Sequence, residues 1–195
     1  MRAMRILVLG WIGVVAASMA AAAPAYDKLD RGPRIGQALP IKLVAPDQTG
    51  KTRDLASLTG KRGLLLVFNR SVDWCVYCRA EAVDWNRRLG DVRALGYRVA
   101  VISYDSLSAI KNFSEGRGIK YTLLSDKGSK IIRAFGLLNE GHPPGSFGHG
   151  IPHPIVFAID PKGVIRHRFS EATYRRRPNI DTVLKVLRMG ASNGS

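Results

Sequence analysis

An α/β fold, with a central mixed sheet and helices on both faces, is predicted by three features of the sequence. Two apolar runs, LLLVFN (64–69) and YRVAVISY (97–104), are separated by a segment with helical spacing. The first is continuous and lacks the alternation of a half-exposed strand, as expected for a strand buried on both faces. The third feature is PIVFAIDPKGVIRHRF (154–169), where Asp-Pro-Lys-Gly interrupts two apolar runs and signals a hairpin.

The elements follow in order. Residues 26–35, YDKLDRGPRI, read as a polar, mobile lead-in. PIKLVAPDQTGKTRDLASL then gives a short strand around Ile41–Val44, a turn at Asp47–Gly50 and a return strand near Thr52–Leu55, an N-terminal hairpin extension. After the 64–69 strand, Val76, Ala80, Val83, Leu89, Val92 and Leu95 carry helical spacing from Cys75 to about Leu95. The strand Tyr97–Tyr104 follows, and Asp105 or Ser106 can cap a helix reaching about Arg117. A short strand (YTLLS) and a short helix (SKIIRAF) lead into a Gly/Pro/His-rich loop over 136–153. After the hairpin, Asn179 can cap a last helix through Arg188. There are no internal repeats. One domain is expected over 36–189, followed by a tail, 190–195.

The first 25 residues differ from the rest. Arg2 and Arg5 precede an apolar run, Ile6–Ala23, and Ala23-Pro24-Ala25 is an A-x-A cleavage site. This is the layout of a signal peptide, which would place the mature protein in the periplasm or outside the cell. The alternative is an uncleaved N-terminal membrane anchor. Losing two arginines and no acids would take the formal charge from +15 to +13. A basic surface attracts anionic partners, including weakly an anionic membrane surface. No nucleic-acid motif is present, so nucleic acid is not an expected partner. Arg175-Arg176-Arg177 reads as a solvated turn.

The chain has two cysteines, Cys75 and Cys78. In an oxidising compartment they could pair, yet the ring would be too small to remove much chain entropy. A chemical role is therefore expected. A cysteine between a buried strand and the next helix sits at the helix amino terminus, where free N–H groups and the dipole favour a thiolate. Cys75 occupies that place as nucleophile. Cys78, one turn on and less exposed, can reach back to resolve a mixed disulfide.

LLLVFNRSVDWCVYC resembles the active-site segment of the thioredoxin superfamily, with Trp74 matching the tryptophan beside the nucleophile. Pro154, six residues before Asp160, matches the superfamily's cis-proline. The stretches GQALP and IKYTLLSDKGSKIIRAFGL are similar to the alkyl hydroperoxide reductase/thiol-specific antioxidant (redoxin) branch. The resemblance implies a thioredoxin-like fold, a cis Pro154 keeping the groove open, and a groove for an extended substrate segment formed by Tyr77 and the main chain at His153. It implies protein thiols or disulfides as partners, an upstream thiol reductant or oxidant, and no cofactor.

True peroxiredoxins carry Pro-x-x-x-Thr/Ser-x-x-Cys. Counted from Cys75, those positions hold Phe68 and Val72. Counted from Cys78, they hold Ser71 and Cys75. The distant peroxide-site arginine would fall at Pro154. Disulfide exchange is thus the expected reaction, and peroxide reduction, with Arg70 and Ser71 remodelled into a site, the alternative. Asn69 stands where cytosolic thioredoxins have a proton-transferring Asp, so Glu81 or water would have to assist Cys78. A second alternative is a copper-binding assembly factor using Cys75, Cys78, His149 and His153, since two thiolates and imidazole suit copper. The loop histidines otherwise read as irregular polar residues, and His167 as a structural or surface residue.

Overall fold

The computed structural model describes residues 25–192. All but the last residue of the expected signal, and residues 193–195 of the expected tail, lie outside them. Among the described residues no helix is long and apolar enough to cross a membrane.

The N-terminal hairpin pairs β1 (Val44–Pro46) with β2 (Thr52–Asp54). Asp54 caps the four-residue helix α1 (Leu55–Leu58) in a capping box with Ser57. The main sheet contains β3 (Gly63–Phe68), β4 (Tyr97–Ser103), β5 (Thr122–Ser125), β6 (Ile155–Ile159) and β7 (Ile165–Ser170), in the order β5-β4-β3-β6-β7. β3 runs parallel to β4, and β4 to β5. β6 is antiparallel to β3 and to β7. The mixed sheet expected from the sequence is present.

Alternation along the strands splits the core into two layers. Leu65 and Val67 of β3, with Val99 and Val101 of β4, face Ala82 and Trp85 of α2 (Val76–Arg87), Val92 of α3 (Leu89–Ala94), Ile110 and Phe113 of α4 (Leu107–Arg117) and Leu184 and Leu187 of α6 (Ile180–Ser192). Leu64, Leu66 and Phe68 face the other way, onto Leu58 and onto Ile131 and Ile132 of α5 (Lys130–Ala134). All six β3 residues are buried, which is why the sequence shows a continuous apolar run.

Two helix boundaries differ from expectation. The long helix after Cys75 is two helices, because Arg88 leaves the helical conformation (φ −101°, ψ 11°) between α2 and α3. Its side chain donates to Asp91 and Asp181, both at 2.6 Å, which ties the break to α6. Of the two caps expected for α4, Ser106 is the one that accepts from Ala109 N–H. The last helix runs past Arg188 to Ser192, so 190–192 extend it.

Residues 26–35 make contacts that a mobile lead-in would not. Arg168 of β7, 1% exposed, pairs with Asp27 at 2.9 Å and donates to the carbonyls of Leu29, Arg31, Gly32 and Pro33. Ser170 N–H donates to the Tyr26 carbonyl at 2.9 Å, and the Tyr26 ring stacks on Phe169. Further on, Gly36 and Gln37 exchange hydrogen bonds with Ile165, and Leu39 N–H donates to Gly163. The polarity of the segment conceals a strap, because its partners lie more than 130 residues away in the chain.

Candidate active site

β3 delivers the chain to Asn69, after which four residues, Asn69 to Val72, are buried without regular structure. Asp105, at the end of β4, organises this turn. It accepts from the Ser71 hydroxyl and the Val72 N–H, both at 2.7 Å, and from the Ser103 hydroxyl at 2.8 Å. Burial raises the Asp105 carboxyl above its ordinary range, and these hydrogen bonds oppose that rise. The Ser71 oxygen in turn accepts from the N–H groups of Asp73 and Trp74. Ser71 is 0% exposed, so its hydroxyl is committed to building the loop.

The loop places Cys75 at the N-cap of α2, bonded through a disulfide to Cys78, with Cα atoms 5.2 Å apart. Cys75 has no side-chain capping bond, and the first turn of α2 has no acidic residue. The positive end of the dipole is therefore left to the sulfurs. Cys75 is 4% exposed and Cys78 0%, which keeps the expected order of access. Trp74, half-buried, donates from its indole to the Tyr104 hydroxyl at 2.9 Å and packs against Phe147, with ring centroids 4.9 Å apart. Arg70, buried, lies over the rings of Trp74 (5.4 Å) and Tyr174 (4.2 Å). Around the pair, Val76 and Phe147 are each 74% exposed and Tyr77 47%.

Arg177 is not the solvated residue expected from its run of three. Its Nη2 lies 2.9 Å from Cys78 Sγ and 3.9 Å from Cys75 Sγ, and its Nε donates to Glu81 at 2.9 Å. Its neighbours Arg175 and Arg176 are exposed, so the run splits into two solvated cations and one largely covered one. Glu81 is buried, receives a second hydrogen bond from Asn69 Nδ2 at 3.2 Å, and has its carboxyl pushed up to about 7 by burial, against the pull of Arg177. Asn69 also donates to the Cys78 carbonyl. It cannot carry a proton, but it ties the dithiol turn to the buried Glu81.

The structure corrects the cis geometry expected of Pro154, takes up the His153 N–H expected to serve the groove, and does not assemble the copper set. Among the described residues no peptide bond is cis, Pro154 included. Pro154 follows the Leu138–Pro152 bridge and a His153 N–H donated to Leu137 at 2.7 Å, so the chain enters β6 already extended. That same bond occupies the His153 N–H, which is thus not free to pair with a substrate segment. Pro154 does precede Ile155, the β6 partner of Phe68, so it stands beside the start of the dithiol loop. Burial, helped by Arg31, lowers the His153 imidazole from its ordinary value. The copper set does not assemble. Among the described residues no three of His, Cys, Asp and Glu form a metal-holding group. His149 Nδ1 pairs with the His142 carbonyl at 2.9 Å and His142 Nδ1 with Phe147, so these rings fold the loop on itself.

Arg177, Asp105, Tyr104 and Phe147 were not identified from the sequence as site residues. Asp105 and Tyr104 follow β4 directly, where parallel strands deliver polar residues to the same end of the sheet. No local pattern marks Arg177.

A buried Cys-x-x-Cys disulfide at a helix amino terminus, on a five-stranded mixed sheet with helices on both faces, defines a thioredoxin-fold dithiol oxidoreductase. Residues 35–168 match the model of the AhpC/TSA family, and the chain belongs to that family. It is similar to peroxiredoxin Bcp of Escherichia coli K12, 29% identical over 147 residues that cover 75% of this chain and 91% of that protein. It is also similar to a chloroplastic peroxiredoxin Q of Populus jackii, 30% identical over 152 residues, covering 78% and 67%. Among solved structures, peroxidoxin BcpB of Mycobacterium tuberculosis superposes with a TM-score of 0.66 at 24% identity, covering 82% and 96%. A thiol peroxidase of Chromobacterium violaceum superposes with 0.68 at 23%, covering 82% and 89%. These two likenesses show the fold.

Proposed function

We propose that this chain is an exported thiol–disulfide oxidoreductase that exchanges electrons with protein disulfides through Cys75 and Cys78. The observation that carries this reading is the exposed apolar rim of Val76, Tyr77 and Phe147 around the pair, beside a Ser71 hydroxyl wholly committed to the loop. The rim suits a protein surface docking over the sulfurs. The hydroxyl that would orient a peroxide is spent elsewhere.

In the reduced protein the Cys75 thiolate, favoured by the helix terminus and Arg177, attacks one sulfur of a partner disulfide. A mixed disulfide forms and the partner's other sulfur leaves as a thiolate. Cys78 then attacks Cys75 Sγ, the partner thiolate departs, and the Cys75–Cys78 bond closes. An upstream thiol reductant, or a terminal oxidant, sets the direction. No cofactor is involved. Export rests on the basic, apolar and small-residue order of residues 1–25.

Peroxide reduction is the second reading, favoured by the peroxiredoxin relatives and by a guanidinium against both sulfurs. Cys75 would take the terminal oxygen as a sulfenic acid, releasing an alcohol or water, and Cys78 would close the same disulfide with loss of water. Stopped-flow rates separate the two. A protein disulfide should oxidise the reduced protein much faster than hydrogen peroxide does, and Cys78→Ser should trap mixed disulfides in the cell while Cys75→Ser traps none. Oxidation of Cys75 by peroxide orders of magnitude faster than that of free cysteine thiolate, with slow disulfide exchange, would replace the first reading by the second.

A further inference from the structure

Arg177 reaches the dithiol from 99 residues away and touches two groups at once: the Glu81 carboxylate through Nε and the Cys78 sulfur, neutral in the disulfide, through Nη2, each at 2.9 Å. The Glu81 side chain is buried, 5% exposed, and that of Arg177 is largely covered, 11% exposed. Nη1 is held by the carbonyls of Tyr174 and Arg176 in Arg177's own loop, which fixes the guanidinium in place. We propose that Arg177 is a positioning residue that makes Cys78 the departing sulfur when the disulfide opens and, by sharing one positive charge between Cys78 and Glu81, ties that step to protonation of Glu81.

The step balances as follows. An incoming thiolate attacks Cys75 Sγ, the sulfur with the greater access. Its bond to Cys75 forms, the Cys75–Cys78 bond breaks, and Cys78 leaves with the electron pair as a thiolate. It does so against a guanidinium already at hydrogen-bond distance, where a charge-assisted bond is stronger than a neutral one. Arginine cannot itself give up a proton, and it carries a single charge. Before the step that charge faces one anion, and afterwards two. Two anions beside one cation disfavour each other, and Glu81 relieves the conflict by taking a proton.

The surroundings fit this role. A cleft of about 380 Å³, lined by neither cysteine but by Glu81, Asp84, Arg87, Arg88, Arg177 and Asp181, gives the carboxylate a route to solvent. Besides Glu81 these are Asp84 and Arg87 of α2, Arg88 at the break after it, Arg177 of the loop before α6 and Asp181 of α6. From β3 the neutral Asn69 amide donates to it, and ahead of β5 the buried Tyr121 phenol, held by the Ala82 carbonyl, is pushed up further by its charge. The carboxyl at about 7 is poised to gain a proton near neutrality.

The assignment rests on the dithiol reading of the site, but the test uses no substrate. Cys78 is titrated alone in full-length Cys75→Ser by its ultraviolet thiolate absorbance. Adding Arg177→Gln should move the titration up by about 1–3 pH units, the size of a lost opposite charge at contact distance. Adding Glu81→Gln instead should move it down, because the guanidinium charge is no longer divided. Arg177→Lys should recover part of the loss. Opposite directions for the two partners of one ion pair are not what a merely structural role produces. No shift in Arg177→Gln, or an upward or absent shift in Glu81→Gln, overturns the proposal. If circular dichroism shows Arg177→Gln unfolded, the direction in Glu81→Gln decides alone. Failure here with Cys78→Ser still trapping partners would leave the dithiol reading standing, whereas absence of trapping would remove that reading itself.

Discussion

Glu81 makes the stability of the oxidised protein depend on pH in a direction opposite to that of most carboxylates. Its carboxyl is raised from the ordinary 4.5 to about 7, chiefly by burial. Between those values the folded protein holds a proton that the unfolded chain has released. Stability therefore falls as pH rises through this window, with no penalty below 4.5 and the full penalty above 7. A shift of about 2.5 units at 1.36 kcal/mol each makes the penalty about 3 kcal/mol. Glu81→Gln removes the titration. The variant carries a constant offset, because Arg177 loses its partner, but the offset does not change with pH. Urea unfolding of wild type and variant, both oxidised so that no thiol titrates, should show the variant gaining about 3 kcal/mol relative to wild type between pH 4 and pH 8. Other perturbed groups, such as Asp105 and His153, act equally in both proteins and cancel. A difference that stays flat, or that shrinks as pH rises, would show Glu81 to be an ordinary carboxylate and refute the account of its burial.

Three further outcomes are expected. Arg168→Met leaves Asp27 buried without its cation and four carbonyls without a donor, and should cost about 3–5 kcal/mol in denaturant unfolding; a loss under about 1 kcal/mol would mean that the strap is not held by this residue. Phe147→Ala removes the ring packed on Trp74, and should slow reaction with a folded protein disulfide by roughly 2- to 10-fold, the kinetic equivalent of about 0.5–1.5 kcal/mol, while leaving a small aliphatic disulfide unaffected. Equal slowing of both substrates in stopped-flow would argue against a docking rim. Amino-terminal sequencing of the mature protein should begin at Tyr26; an intact Met1 in an integral membrane fraction would establish an anchor.

The sheet was legible because it is made of what a sequence displays best. β3 and β6 are unbroken apolar runs, and Asp160-Pro-Lys-Gly163 declares its turn. The dithiol was legible for the same local reason, a strand end and a helix start bracketing Trp74-Cys-x-x-Cys. What could not be read depends on distance along the chain. Arg177 and Glu81 are 96 residues apart, and Arg168 and Leu29 are 139 apart. In each case the partner of a charged side chain is supplied only by the folded chain. The break at Arg88 has the same origin, since its guanidinium is drawn to Asp181, 93 residues on. Pro154 shows the converse error. The resemblance identified the position, but peptide geometry is a property of the neighbours, and here the Leu137–His153 bond holds the chain extended.

The N-terminal segment also has a consequence for self-association. A five-stranded open sheet has two unpaired rims, β5 and β7, each a template on which another chain could add a strand. Both are occupied from within. Gln48 N–H donates to Leu123, and Asp47 bridges Leu124, so the hairpin closes the β5 side. Residues 26–39 run along β7 from Ser170 back to Gly163 and close the other. The first part of the domain thus acts as a pair of guards against edge-to-edge aggregation. A chain shortened to begin at Ile41 would keep the dithiol, its helix and its arginine, yet expose the β7 rim. Such a chain is expected to associate with copies of itself as concentration rises, even where its redox chemistry is intact.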